Sequence, residues 1–96
     1  MATKTVTFEP DAWNDFLYWL TQDIKTIKRI AELIKDIQRD PYNGIGKPEL
    51  LKYTTRVGYW SRRINKIDRL VYKIKEETIN IISCRHHYQK RGENYD

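Results

Sequence analysis

The sequence predicts an α+β fold: an N-terminal strand, a two-helix hairpin, then an antiparallel twisted sheet with the helices on one face. Three observations carry that prediction. Between Gly58 and Tyr72, β-branched and aromatic residues alternate with basic ones, as in the two strands of a hairpin. Upstream, residues 10–39 hold two runs whose apolar positions recur at helical spacing, with almost no connector between them. The order strand, helix, helix, run of strands then gathers the helices on one side of the sheet.

Thr5–Phe8 is a short strand candidate, and Glu9-Pro10-Asp11 stops it. Proline suits a first helical turn and acids suit the positive helix end, so a helix starts there and runs to about Leu20. Trp13, Phe16, Leu17 and Leu20 fall on one apolar face of it. Asp23 caps a second helix reaching about Arg39. Ile24, Ile27, Ile30, Ala31, Ile34 and Ile37 line one side, and Lys25, Lys28, Arg29, Glu32, Lys35 and Asp36 populate the other. The isoleucine stripe reads as core. Asp40-Pro41 ends the helix, and Tyr42–Pro48, with Gly44 and Gly46, is a loop whose spacing does not fit a phosphate-binding P-loop. Glu49–Lys52 is a short strand, and Tyr53–Val57 connects it to the hairpin.

Within the hairpin, Trp60, Ile64, Leu70, Tyr72 and Ile74 share an apolar face, while Ser61, Arg63, Arg69, Val71 and Lys73 form a cationic one. This matching needs a turn with an odd number of residues, expected at Lys66–Asp68. A one-residue slip would exchange the faces, so the pattern fixes the register. A last strand, Thr78–Arg85, adds Ile79 and Ile81 to the apolar face if its turn is the two residues Glu76-Glu77. A single domain is expected over residues 1–88, followed by a mobile polar tail over 89–96.

The 96 residues include 18 Lys and Arg against 13 Asp and Glu. Residues 1–48 balance seven of each sign, so the whole net charge of +5 lies in the half containing the hairpin. A one-sided positive field favours a polyanion or an acidic protein partner. The single cysteine, Cys84, cannot form an internal disulfide and reads as a small apolar residue in the sheet. No apolar run approaches membrane-spanning length and the N-terminus lacks a signal-peptide core, so a soluble cytoplasmic protein is expected.

His86, His87 and Tyr88 end the last strand beside the basic hairpin, and Glu49 lies just after the glycine-containing loop. With Arg63 and Arg69, these residues bring a carboxylate, imidazoles, a phenol and guanidinium groups to the uncovered side of the sheet. Such a set suits RNA cleavage without a metal or other cofactor. A base deprotonates the 2′-hydroxyl, an acid protonates the leaving 5′-oxygen, and cations hold the charge growing on phosphorus. An aromatic ring can stack an unpaired base. Adjacent histidines on a strand point to opposite faces, which argues against a metal site.

These residues also sit in a wider pattern. Ala12-Trp13 and Tyr18-Trp19, Leu33-Ile34-Lys35-Asp36 with Pro41, Gly44, Gly46-Lys47-Pro48-Glu49 and Leu51-Lys52 form its first part. Gly58-Tyr59-Trp60-Ser61-Arg62-Arg63-Ile64, Arg69-Leu70-Val71-Tyr72, Cys84-Arg85 and His87-Tyr88 complete it. At these spacings the chain resembles the YoeB branch of the RelE-like bacterial toxins over almost its whole length. The resemblance implies a ribosome-dependent mRNA endonuclease, the toxin of a toxin–antitoxin pair, that cuts mRNA in the A site of the 70S ribosome and leaves a 2′,3′-cyclic phosphate and a 5′-hydroxyl. It implies Glu49 as general base, Arg69 as the group stabilising the phosphorane-like transition state, His87 as general acid and Tyr88 as a positioning or stacking residue. Lys47, Lys52, Arg62 and Arg63 would hold phosphate or ribosomal RNA. The implied partners are an acidic, YefM-like antitoxin and a second copy of the chain.

The chain departs from that pattern in two places: the Tyr53–Val57 connector is one residue longer than usual, and eight residues follow Tyr88 where the family usually ends. Strand alternation also places His86 and Tyr88 on the cationic face and His87 on the apolar one, whereas the resemblance favours His87. Both can hold only if the chain leaves the strand near Arg85, with His86 the reserve candidate. The competing readings are a non-catalytic inhibitor of DNA gyrase on the same fold, like the ParE toxins, and a basic nucleic-acid-binding module without chemistry.

Overall fold

The structure, a computed structural model, describes residues 4–51 and 58–86. Lys52, the connector at 53–57, His87, Tyr88 and the tail at 89–96 lie outside the described residues. The elements are β1 (Thr5–Phe8), α1 (Pro10–Gln22), α2 (Ile24–Arg39), β2 (Glu49–Leu50), β3 (Tyr59–Arg63), β4 (Arg69–Lys75) and β5 (Thr78–Ser83). The strands form one five-stranded sheet in the order β1-β5-β4-β3-β2. β2 to β5 pair antiparallel, as the alternating pattern requires, but β1 pairs parallel to β5 and makes the sheet mixed. β2 runs opposite to β1, and the three reversals that follow bring β5 round to β1's direction.

The helices cover one face. Ala12, Ile30, Leu33 and Ile37 pack against Ile64, Leu70, Tyr72, Ile79, Ile81 and Cys84 in one buried cluster. Even-numbered hairpin residues therefore face the core, as read from the sequence. The expected turn position is corrected by one residue. Ile64 N–H bonds to Asp68 O at 3.0 Å around Asn65–Ile67, and Trp60 lies opposite Tyr72. The Asn65 side-chain oxygen accepts from the N–H groups of Ile67 and Asp68, both at 2.7 Å, and this fixes the tighter turn. The loop stays odd, so no side chain changes face. The β4–β5 turn is the two residues Glu76 and Glu77, with Glu76 at φ +57°, and both Ile79 and Ile81 are fully buried.

α1 turns a different sector inward from the one expected, whereas on α2 the isoleucine stripe is core at Ile30 and Ile37, with Ile34 packed against it. Trp13, Leu17 and Leu20 on α1 are 48%, 40% and 50% exposed, and the side facing in carries Ala12, Asp15, Phe16 and Trp19. The cause is polar. Asp15 Oδ2 accepts Cys84 N–H at 2.9 Å and Trp19 Nε1 donates to Cys84 O at 2.8 Å, so α1 is docked on the chain just past β5 by groups that cannot face outward. On α2 the buried residues are Thr26, Ile30, Leu33 and Ile37, while Ile24 and Ala31 are exposed. Asp23 caps α2 as expected, accepting Lys25 N–H at 3.1 Å and the Thr26 hydroxyl at 2.9 Å.

Arg62 corrects another expectation. It lies on the even face, it is fully buried, and it cannot hold phosphate on the surface. Its guanidinium carries five N–H donors. Nε donates to Tyr72 Oη at 3.2 Å, Nη1 to Asp36 Oδ2 at 2.6 Å and Ile45 O at 3.1 Å, and Nη2 to Asp40 O at 2.7 Å and Asn43 O at 3.3 Å. Tyr72 Oη passes its own hydrogen bond to Pro41 O at 2.6 Å. This network is what orders the loop between α2 and β2. Asp36, expected on a solvated face, is its anion. Hydrogen bonding from Arg39, then from Arg62, holds the Asp36 carboxyl well below the usual carboxylate range, against an opposing contribution from burial.

Gly44 lies inside this network at φ +139°, where an added Cβ would collide with the Asp36 carboxylate. Gly44→Ala is therefore expected to destabilise the protein by about 2 kcal/mol or more, from backbone strain plus displacement of a charged partner. Chemical denaturation checks this, and a midpoint within error of wild type would contradict it.

Candidate active site

Glu49 and Arg69 meet on the sheet face that the helices leave uncovered. Glu49 sits on the edge strand β2, opposite Ser61 of β3. Arg69 opens β4, directly opposite Arg63. The Arg69 guanidinium reaches across β3 so that Nη1 lies 3.2 Å from Glu49 Oε1. The Arg69 side chain is 20% exposed and that of Glu49 57%, so the pair is open to solvent from the Glu49 side. Arg69 Nε–H is buried and has no hydrogen-bond partner among the described residues. The exposed carboxylate partner holds this guanidinium by one donor, so an anion arriving on the open side competes with Glu49 for it.

The loop that delivers Glu49 is fixed at several points. Gly46 O accepts Arg63 N–H at 2.6 Å, and Gly46, at φ +80°, packs so closely on Leu33 and Arg62 that a side chain has no room. Lys47 follows in the left-handed region at φ +51° and is exposed. Arg63 is exposed too, on the same face as Arg69, and its carbonyl accepts from Arg29 Nη2 at 3.2 Å. Two expected cations, Lys47 and Arg63, thus border the Glu49–Arg69 pair, and Arg62 does not.

The last strand ends at Ser83, two residues earlier than expected, after a bulge that sets Ser83 opposite Val71. The chain leaves the strand before Arg85, as the conflict between His86 and His87 required. Cys84 is buried one residue past the strand. The Arg85 guanidinium lies 3.5 Å over the Tyr18 ring. His86 turns at φ +66°, its N–H donates to Asp68 Oδ1 at 2.5 Å, and its carbonyl accepts Arg69 N–H at 3.2 Å. The main chain of His86 is therefore bonded to the residue that carries the guanidinium and to its neighbour. His87, Tyr88 and Lys52 lie outside the described residues.

The residues that position this site were missed in the sequence. Asp68 was read as a turn residue, Trp19 only as part of the family pattern and Asp36 as a surface charge, and Asp15 was not singled out. The Asn65/Asp68 spacing, three residues apart in a polar turn, is the one local signal that could have marked Asp68 as an acceptor. Nothing local marks Asp15 or Asp36, whose partners lie 69 and 26 residues away.

Residues 8–88 match the family described as YoeB-like toxin of bacterial type II toxin–antitoxin systems. The chain is 52% identical to the toxin RelK of Mycobacterium tuberculosis over 85 residues, which cover 88% of this chain and 99% of that protein. Its fold is similar to that of the YoeB dimer from Staphylococcus aureus, with a TM-score of 0.84 and 46% identity, covering 91% of this chain and all of that one. The toxin in the heterotetrameric YoeB–YefM complex from the same organism gives a TM-score of 0.81 at 46% identity, with the same coverage.

Proposed function

Since the chain belongs to the YoeB-like toxins of bacterial type II toxin–antitoxin systems, we propose that it is a ribosome-dependent endoribonuclease that cuts mRNA in the A site of the 70S ribosome. The observation that carries this reading is the Arg69–Glu49 pair at 3.2 Å on the uncovered, basic face, with the His86 main chain bonded to Arg69 N–H. The proposed step is a transesterification. Glu49 takes the proton of the 2′-hydroxyl, O2′ bonds to phosphorus, the P–O5′ bond breaks, and His87 gives its proton to the departing O5′. The products are a 2′,3′-cyclic phosphate and a 5′-hydroxyl. Arg69, whose Nε–H is uncommitted, stabilises the charge on the pentacoordinate phosphorus. Tyr88 stacks or positions a base, and Lys47, Lys52 and Arg63 hold backbone phosphate, which makes binding fall steeply with salt. Every step is taken by a side chain of this protein, without a metal.

The same reading gives the toxin an acidic, YefM-like antitoxin as cytoplasmic partner, attracted by the basic second half of the chain and covering the site. No helix among the described residues is long and apolar enough to cross a membrane. A second copy of the chain is the other proposed partner. Trp13, Leu17, Leu20 and Ile24 form an exposed apolar row along α1 and into α2. Apolar patches of this kind mark protein interfaces. Trp13→Asp with Leu17→Asp is expected to convert a dimer to a monomer in light scattering at micromolar concentration, and an unchanged mass would remove this row as the interface.

The function is tested by incubating purified protein with mRNA, with and without ribosomes. Cleavage confined to the ribosome-bound message is the expected result. Absence of cleavage by folded wild type, accompanied by inhibition of gyrase, would replace this reading with that of a non-catalytic inhibitor.

A further inference from the structure

Resting on the reading of Glu49 and Arg69 as the cleavage pair, we propose that Ser61 is a positioning residue whose hydroxyl takes over the Glu49 carboxylate when substrate phosphate draws Arg69 away. Ser61 is 1% exposed, yet its Oγ has no hydrogen-bond partner among the described residues. An unpartnered buried hydroxyl costs stability, so its retention calls for a physical reason. Its place supplies one. Ser61 lies directly across from Glu49, and Leu51 N–H bonds to Tyr59 O at 2.8 Å. Ladder bonds alternate along an antiparallel pair, so Glu49 and Ser61 also form a hydrogen-bonded pair, with Cα atoms about 5.5 Å apart. Arg69 must pass over β3 to reach β2, and Ser61 is the residue of β3 beneath that crossing on the same face.

Two unspent groups therefore lie under one ion pair: the Ser61 hydroxyl and Arg69 Nε–H. In the free protein Glu49 is oriented by Arg69. A phosphate between them competes for the guanidinium, and Glu49 then needs another donor to stay aimed at the 2′-hydroxyl. The Ser61 O–H is the near one. The charged and titratable groups around Glu49 among the described residues are Arg69, Arg63 on β3, Lys47 two residues earlier in the chain, and His86 beyond β5. None of the other three is a cross-strand neighbour of Glu49. Ser83, whose Oγ is also buried and without a partner among the described residues, lies opposite Val71 and away from Glu49, and so serves as the control.

The test compares wild type, Ser61→Ala, Ser61→Thr, Ser83→Ala and Glu49→Gln for single-turnover cleavage of ribosome-bound mRNA across pH, alongside ribosome affinity and thermal unfolding. Ser61→Ala is expected to cleave about ten-fold more slowly, the scale of one hydrogen bond to a charged group. Ribosome affinity should be unchanged. The acid limb of its pH–rate profile should move to higher pH, because a carboxylate that loses a donor binds its proton more readily. Its melting temperature should be no lower than that of wild type, Ser61→Thr should recover much of the rate, and Ser83→Ala should match wild type. A wild-type rate and acid limb in Ser61→Ala would overturn the proposal while Glu49→Gln remained inactive. So would an equal loss in Ser83→Ala, or a loss explained by lowered melting temperature. An active Glu49→Gln would instead overturn the reading of the cleavage pair itself.

Discussion

Glu49→Gln and Arg69→Ala are each expected to reduce mRNA cleavage on ribosomes by about 100- to 1,000-fold, with folding and ribosome binding nearly intact. The size follows from what each group does. A positioned general base contributes about 10²–10⁴-fold, and a preorganised charge at a developing anion contributes about 10²–10³-fold. The two losses should not add. The two groups touch at 3.2 Å in the free protein and act on one transition state, and residues that act as a unit lose most of their effect with the first deletion. The double variant is therefore expected to cleave about as slowly as the worse single one. Lys47→Ala is the contrast. An exposed lysine that holds phosphate should mainly weaken binding and lower its salt dependence, leaving the single-turnover rate at saturation close to wild type. Rate measurements at saturating ribosome concentration separate these outcomes. A Glu49→Gln protein that cleaves at the wild-type rate would mean that this carboxylate is not the base.

Arg62→Ala is expected to destabilise the fold by about 3–5 kcal/mol, because several buried acceptors lose their donor together and a large buried side chain is removed. The variant takes a donor from the Tyr72 hydroxyl and three backbone carbonyls at once, while Asp36 keeps Arg39 Nε and the Ile45 N–H. For a domain of this size that is a large share of the total stability. Asp36→Ala should cost a similar amount, and the double variant less than the sum. The pair also sets a pH dependence. The Asp36 carboxyl is depressed in the folded protein, so its contribution is fully present above its unfolded value. That contribution fades as the pH falls below about 4, where the unfolded chain binds the proton first. Urea midpoints at pH 7 and pH 3 should therefore differ more for wild type than for Asp36→Asn. Equal differences in the two proteins would contradict this account. Because the same network fixes the loop ahead of β2, a fraction of Arg62→Ala that stays folded should also cleave slowly.

The hairpin was legible because its information is local. Alternation with period two, together with an odd loop, assigns faces even when the turn is placed one residue late, since that error moves the register by two and leaves each side chain on its own side. The Asp23 cap and the Thr5–Phe8 strand were legible for the same reason, whereas the two-residue turn at Glu76-Glu77 was only conditional and the departure of the chain from the last strand near Arg85 followed from setting strand alternation against the resemblance. Arg63 and Arg69 were placed on one face by the same parity, Glu49 by its place after the glycine-containing loop and Lys47 by the resemblance alone, and the structure brings Glu49 and Arg69 into contact.

What failed in the sequence reading was long-range. Helical periodicity found the core side of α2 in part, with Ile30 and Ile37 buried and Ile34 packed against them, but on α1 it could not say which side turns inward. On α1 that choice went to the side carrying Asp15 and Trp19, because the buried Cys84 peptide needs their donor and acceptor, and an unpaired peptide group costs more than leaving Leu17 and Leu20 half exposed. Arg62 read as a surface cation because its neighbours in sequence are Ser61 and Arg63; only the packed structure supplies the five acceptors that let it be buried. The sequence by itself determined the kinds of elements, their faces and the residues available for chemistry, since propensity and spacing act between near neighbours. The tertiary structure decided the parallel pairing of β1, the helix sides that form the core, the burial of Arg62 and the position of Ser61 under the Arg69–Glu49 pair. Each of these depends on partners brought together only when the chain closes on itself.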